Sequence, residues 1–151
     1  MEKLIVRDFL VIKSADFEVG RINLIIGPQA SGKSLIAKLF YFFRKFLRST
    51  YLESAKGLEK DIEKQAITNF EEYFPRYTWT DQLFSIRYET DDIAIVMSRR
   101  KTSSGQVVLK FDYSSNLMGT LKNRYFRHPA DSNPLIIQAP NLRKLYFSRC
   151  P

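Results

Sequence analysis

The chain is expected to fold as an α/β domain, on three observations. An apolar run from Ile22 to Ile26 leads directly into a glycine-rich loop, "GPQASGKS", spanning Gly27 to Ser34. The loop opens a segment whose apolar residues recur at helical spacing. Further along, "LFSIRYETDDIAIVMSRRKTSSGQVVLKFDYS" changes to the two-residue period of strands. A length of 151 residues with 44% hydrophobic and 26% charged content suits a single domain with its own core.

The first 26 residues read as three short strands. Leu4 to Val6 is apolar, Ala15 to Val19 partly alternates, and Ile22 to Ile26 is nearly continuous. The third has the composition of a strand covered on both faces at the centre of an α/β sheet. Asp16 and the pair Gly20-Arg21 are the turn formers between them. Lys33 to Arg48 reads as a helix, because Leu35, Ile36, Leu39, Phe40, Phe43, Phe46 and Leu47 make one broad apolar face. A second helix is predicted from about Tyr51 to Tyr73, where Leu52, Ala55, Leu58, Ile62, Ala66, Phe70 and Tyr73 recur every three or four residues, with Pro75 as its stop. The β segments that follow are separated by "ETDD" and "TSSGQ", short enough to make an antiparallel meander. Ser115 to Phe126 reads as a further helix, and "LIIQ" as an apolar run among Pro129, Pro134 and Pro140.

The loop between Ile26 and the helix has the spacing of a phosphate-binding turn: Gly, four residues, Gly, Lys, Ser. Gly27 lets the chain turn sharply off a strand, and Gly32 lets the backbone approach an anion. Main-chain N–H groups of about Ala30 to Ser34 would form an anion nest, reinforced by the positive end of the helix. Lys33 would reach the β- and γ-phosphates, and the Ser34 hydroxyl would ligate Mg²⁺. The nucleotide-binding residues expected on this basis are Gly27, Pro28, Gln29, Ala30, Ser31, Gly32, Lys33, Ser34 and Leu35. Ala30 carries a methyl inside the loop, so its backbone is expected to avoid positive φ.

With these residues in view, Lys3 to Tyr41 resembles the start of an ABC-type ATPase head of the kind found in SMC, RecF and OLD-nuclease proteins. The likeness lies in "LIVRDFLVIKSADFEV", then "GRINLIIGP", then the loop, with Gln29 and Ala30 standing where many members have Asn and Gly. The resemblance implies a P-loop NTPase lobe: a β layer with the loop and its helix over 1–50, a helical insertion over 51–75, an antiparallel β meander over 80–113, and a helix with a return strand over 114–151. It implies ATP and Mg²⁺ as ligands, and Lys33 as a catalytic residue. It also implies that Gln138, ending "NPLIIQ", contacts Mg²⁺ and the attacking water. Partners implied are a second copy or another ATPase lobe, DNA, and an effector protein, in DNA repair or phage defence.

Hydrolysis in that family needs further motifs. "VVLKFD", ending at Asp112, has Lys110 within its apolar run and Tyr113 where a catalytic Glu would stand. "SSGQ", Ser103 to Gln106, looks like an ABC signature but lies only a few residues before Asp112, and a β-turn explains it better. His128, the single histidine, reads as a loop residue rather than a switch. The expectation is therefore one partial ATPase domain over 1–151, the N-terminal part of a longer protein. A short protein with a degenerate site is the other reading. A small P-loop kinase is an alternative function, although the meander has no place in one. A non-catalytic nucleotide- or nucleic-acid-binding module is another.

Lys and Arg total 24 against 16 for Asp and Glu, a net charge of +8 that suits polyanionic partners and equally a solubilising surface. Arg99 to Lys101, Lys122 to His128, and Arg143-Lys144 with Arg149 are the basic clusters. Tyr125, Phe126, Tyr146 and Phe147 are interleaved with the latter two. Cys150 is the single cysteine, so no disulfide forms within the chain, in keeping with a reducing compartment. No signal peptide or membrane span is evident, and "LIAKLFYFF" is too short and carries Lys38. The expected location is the cytoplasm.

Overall fold

A computed structural model describes residues 1–55, 61–115, 117 and 119. Five strands form one sheet: β1 (Glu2–Phe9), β2 (Ile12–Val19), β3 (Phe84–Glu89), β4 (Ala94–Lys101) and β5 (Val107–Tyr113). Their order is β2-β1-β3-β4-β5, with every neighbouring pair antiparallel. Two helices, α1 (Lys33–Ala55) and α2 (Ile62–Tyr73), supply the other layer.

Strand alternation sends two cross-sheet rows toward the helices. One runs Ala15, Val6, Ile86, Met97, Phe111, and the other Phe17, Leu4, Tyr88, Ile95, Tyr113. The central members of both rows are buried. On α1, Phe43 stacks on Tyr88 with ring centroids 5.0 Å apart, and Phe46 meets Phe111 edge-on at 5.2 Å. On α2, Phe70 packs among Phe9, Phe42, Phe74, Trp79 and Phe84. The opposite face of the sheet is laced with charge pairs, Lys3–Glu18, Arg7–Asp16, Arg87–Glu89 and Lys110–Asp112. Exposed pairs of this kind solubilise a face more than they stabilise it.

One ion pair lies deeper. The Glu2 carboxylate accepts from Arg44 Nε at 2.7 Å and from the Tyr88 hydroxyl at 2.6 Å, tying β1 to α1 and β3. Burial, then the adjoining carboxylate, pushes the Tyr88 hydroxyl far above its ordinary range, so Tyr88 stays a neutral donor.

The meander forms as its turn signals predict. Thr90 N–H bonds Ile93 O across the first turn, and Thr102 N–H bonds Gln106 O across "TSSGQ", with Gly105 at φ +80°. Three expectations are corrected. The helical segments divide elsewhere: α1 continues through Ala55 and α2 begins only at Ile62. Ser49 and Thr50 do not end the first helix because both hydroxyls bond back to Phe46 O at 2.9 Å. Asp61 starts the second by accepting from Lys64 N–H at 3.1 Å.

Asp16 is no turn residue. It lies within β2, and the first turn is formed by Leu10 and Val11. Nor is Ile22 to Ile26 a covered central strand. Gly20 N–H donates to Asn23 Oδ1 and Asn23 Nδ2 donates to Gly20 O, a local turn that steers the chain out of the sheet. The segment has no strand partner among the described residues, and Ile22, Leu24 and Ile26 are 91%, 78% and 81% exposed. The described sheet is therefore wholly antiparallel, without Ile22 to Ile26 as the covered central strand expected. The expected helix from Ser115 lies almost wholly outside the described residues. "NPLIIQ" with Gln138, His128 and Cys150 lie outside them entirely.

Candidate nucleotide-binding loop

The loop connects the exposed segment to the first turn of α1. Its backbone is left-handed at two places, Ala30 at φ +60° and Gly32 at φ +90°. The expectation for Ala30 is thus overturned. Left-handed φ costs an L-residue about 1–2 kcal/mol rather than being closed to it. The methyl is tolerated because Ala30 is exposed, with no wall against it. Gly32 has no such freedom. A Cβ there would lie 2.8 Å from Ile12 Cγ1 and 3.3 Å from Val11 Cγ2. The β1–β2 turn therefore rests directly on the loop.

The helix starts with Ile36 N–H bonding Gly32 O at 3.0 Å. Among the described residues, the main-chain N–H groups just ahead of it have no acceptor, and the first turn of α1 carries no acidic residue. The positive end of the helix is left uncompensated, the condition in which it favours an anion. Lys33 folds back over the loop. Its Nζ donates to Gly27 O at 2.7 Å, to Pro28 O, and to Ser31 Oγ at 3.3 Å. An ammonium so placed sits on the loop's own carbonyls.

The sequence-predicted residues fall into two groups. Lys33, Ser31 and the main chain of Gly27 to Ser34 come together around the loop, with Ser34 and Gln29 exposed. Leu35 turns its side chain toward the core and offers only its N–H to the loop. Asp112, set aside as a false Walker B residue, lies on edge strand β5 and is paired with Lys110 at 2.9 Å. From the cluster Arg99 to Lys101, Arg99 is committed inside the fold. It lies 5.9 Å over the Trp79 ring and donates to Gln82 O at 2.6 Å. The two later basic clusters lie outside the described residues.

One residue that carries no recognisable motif, Gln82, supports the loop from below through the β1–β2 turn. Gln82 accepts from Leu10 N–H at 2.8 Å and donates to Leu10 O at 3.3 Å, clamping the turn whose Val11 and Ile12 touch Gly32. Nothing local in the sequence marks a contact between residues 72 positions apart.

The donor set fits a polyphosphate. For a divalent cation, the described residues contain no cluster of three His, Cys, Asp or Glu side chains. Were a divalent cation held at this loop, the Ser34 hydroxyl is the side chain there that could ligate it. No helix of the described residues is long and apolar enough to cross a membrane. No family model, curated protein or solved structure matches the chain.

Proposed function

We propose that the loop from Gly27 to Leu35 binds the phosphates of Mg-ATP, and that the chain serves as the nucleotide-binding lobe of an ABC-type ATPase acting in DNA repair or phage defence. The observation that carries the first half is the Lys33 ammonium, held within the loop by Gly27 O and Pro28 O at a helix start that lacks acidic compensation. The main-chain N–H groups ahead of Ile36 would donate to the phosphate oxygens, Lys33 would swing from carbonyl to phosphate, and Ser34 would complete the Mg²⁺ shell. Bound Mg²⁺ supplies charge neutralisation between the phosphates.

The second half rests on the resemblance of Lys3 to Tyr41, with support from the exposed row Ile22, Leu24 and Ile26. An apolar row of this kind suits a lobe completed by further sheet or by a partner lobe. Gln138 would add the residue that orients water. The antiparallel meander disfavours a small kinase.

Titration of a fluorescent ATP analogue into the full chain tests the loop. Binding should require Mg²⁺ in the wild type, and Ser34→Ala should lose that requirement together with most of the affinity. Binding indifferent to Mg²⁺ and to Ser34 would overturn the assignment. The chain alone should turn over little ATP, and steady hydrolysis abolished by Lys33→Ala would contradict that part.

A further inference from the structure

The nucleotide loop is not supported by its own helix alone. Gly32 lies against Val11 and Ile12, close enough that a Cβ would stand 2.8 Å from Ile12 Cγ1. That turn is an unusual one. Leu10 occupies its first position at φ +53°, where glycine is the favoured residue. Asp8, two residues earlier, is left-handed as well, at φ +54°. A turn so poor in local signals needs help from elsewhere in the chain.

The help comes from Gln82. Its side-chain amide engages both main-chain groups of Leu10, the N–H at 2.8 Å and the carbonyl at 3.3 Å. Gln82 is itself fixed at its main chain: its N–H bonds Trp79 O at 3.0 Å, and its carbonyl accepts from Arg99 Nη1 at 2.6 Å. Trp79 is 1% exposed and donates Nε1–H to Phe74 O. The rigid core thus reaches the loop through one side chain and one turn.

We infer that Gln82 is a positioning residue for nucleotide binding: it holds the Leu10–Val11 turn against Gly32 and so sets the shape of the phosphate loop. The inference deepens the Mg-ATP reading and rests on it. Without the clamp the turn relaxes away from the left-handed conformation at Leu10. Val11 and Ile12 then no longer hold Gly32, and the loop samples shapes in which its N–H groups diverge. Gln82 touches neither phosphate nor metal in this scheme.

The test uses the full chain and two variants. Gln82→Met keeps the length of the side chain and removes both amide contacts. Val11→Ala trims the contact on Gly32 at an exposed position and leaves the clamp intact. Mg-ATP affinity is read by titration, and hydrogen exchange is read over residues 8–13 and 27–34. Gln82→Met should weaken Mg-ATP by about fivefold or more. Val11→Ala should weaken it by about threefold. Both should speed exchange over 27–34, and only Gln82→Met should speed it over 8–13. A residue with a merely structural role would lower stability without changing loop exchange relative to α2. Should Gln82→Met fail to fold, Gln82→Asn, which draws the amide back from the Leu10 main chain, replaces it with the same expected outcomes. Affinities within about twofold of wild type, with unchanged exchange over 27–34, overturn the inference. If the wild-type chain binds no Mg-ATP, the reading of the loop fails, and exchange over 27–34 still decides whether the clamp shapes it.

Discussion

Phe70 on α2 is wholly buried among five other rings, whereas Ile22, just after β2, is 91% exposed beside Leu24 and Ile26 at 78% and 81%. Both regions are apolar in sequence, and only one is covered by the described chain. In the sheet and its two helices, each apolar face meets another from the same chain. Between Gly20 and Gly32 the chain turns out of the sheet, and Ile22, Leu24 and Ile26 are left uncovered by the described residues. The core stands on its own packing, and the loop region is shaped from below by the β1–β2 turn but left open above.

Breaking the core should give the largest effect. Phe70→Ala removes a ring from the centre of the aromatic cluster and should cost about 3–5 kcal/mol in urea unfolding. A much smaller loss would mean that α2 packs loosely. Gly32→Ala attacks the seam between the two regions. It places a Cβ against Ile12 at φ +90°, and about 1–3 kcal/mol of strain should appear as a lower melting midpoint. Undiminished stability there would show that the turn does not rest on the loop.

The open region should respond in the opposite way. Ile22→Ser combined with Leu24→Ser should leave unfolding free energy within about 0.5 kcal/mol of wild type, since neither side chain is buried. The same variant should lower self-association in sedimentation, because the exposed row is what a partner would cover. A large stability loss would place that row inside the fold.

The smallest effect concerns the charged outer face. Hydrogen bonding from Arg7 holds the Asp16 carboxyl below its usual range. A lowered native pKa means that its contribution is present at neutral pH, above the unfolded value, and is lost as pH falls through the lowered value. Asp16→Asn should flatten that acid limb slightly in melts below pH 4. Asp16 is exposed, so the change should be slight.

The legible parts were those governed by local rules. The helical spacing around Phe43 and Phe46, the stop at Pro75 and the "TSSGQ" turn each follow from neighbouring residues. What the sequence hid depends on distance. The Leu10–Val11 turn lacks the Gly or Asn that marks a tight hairpin and is held instead by Gln82, which follows both helices in the chain. Ile22 to Ile26 misled for a related reason: a continuous apolar run shows that a segment can be covered, not which chain covers it. The glycine-lysine spacing of the loop was plain, yet the left-handed Ala30 was not, because the energetic barrier for alanine is low enough for a tight loop to override.

The most direct test of the central claim is thermal unfolding of the full chain with and without Mg-ATP, in wild type and Lys33→Ala. A native-state ligand at a hundred times its Kd stabilises by about 2.7 kcal/mol. The wild-type midpoint should therefore rise by several degrees with Mg-ATP, while that of Lys33→Ala should stay where it is. A wild-type midpoint that does not move at saturating Mg-ATP would contradict the account.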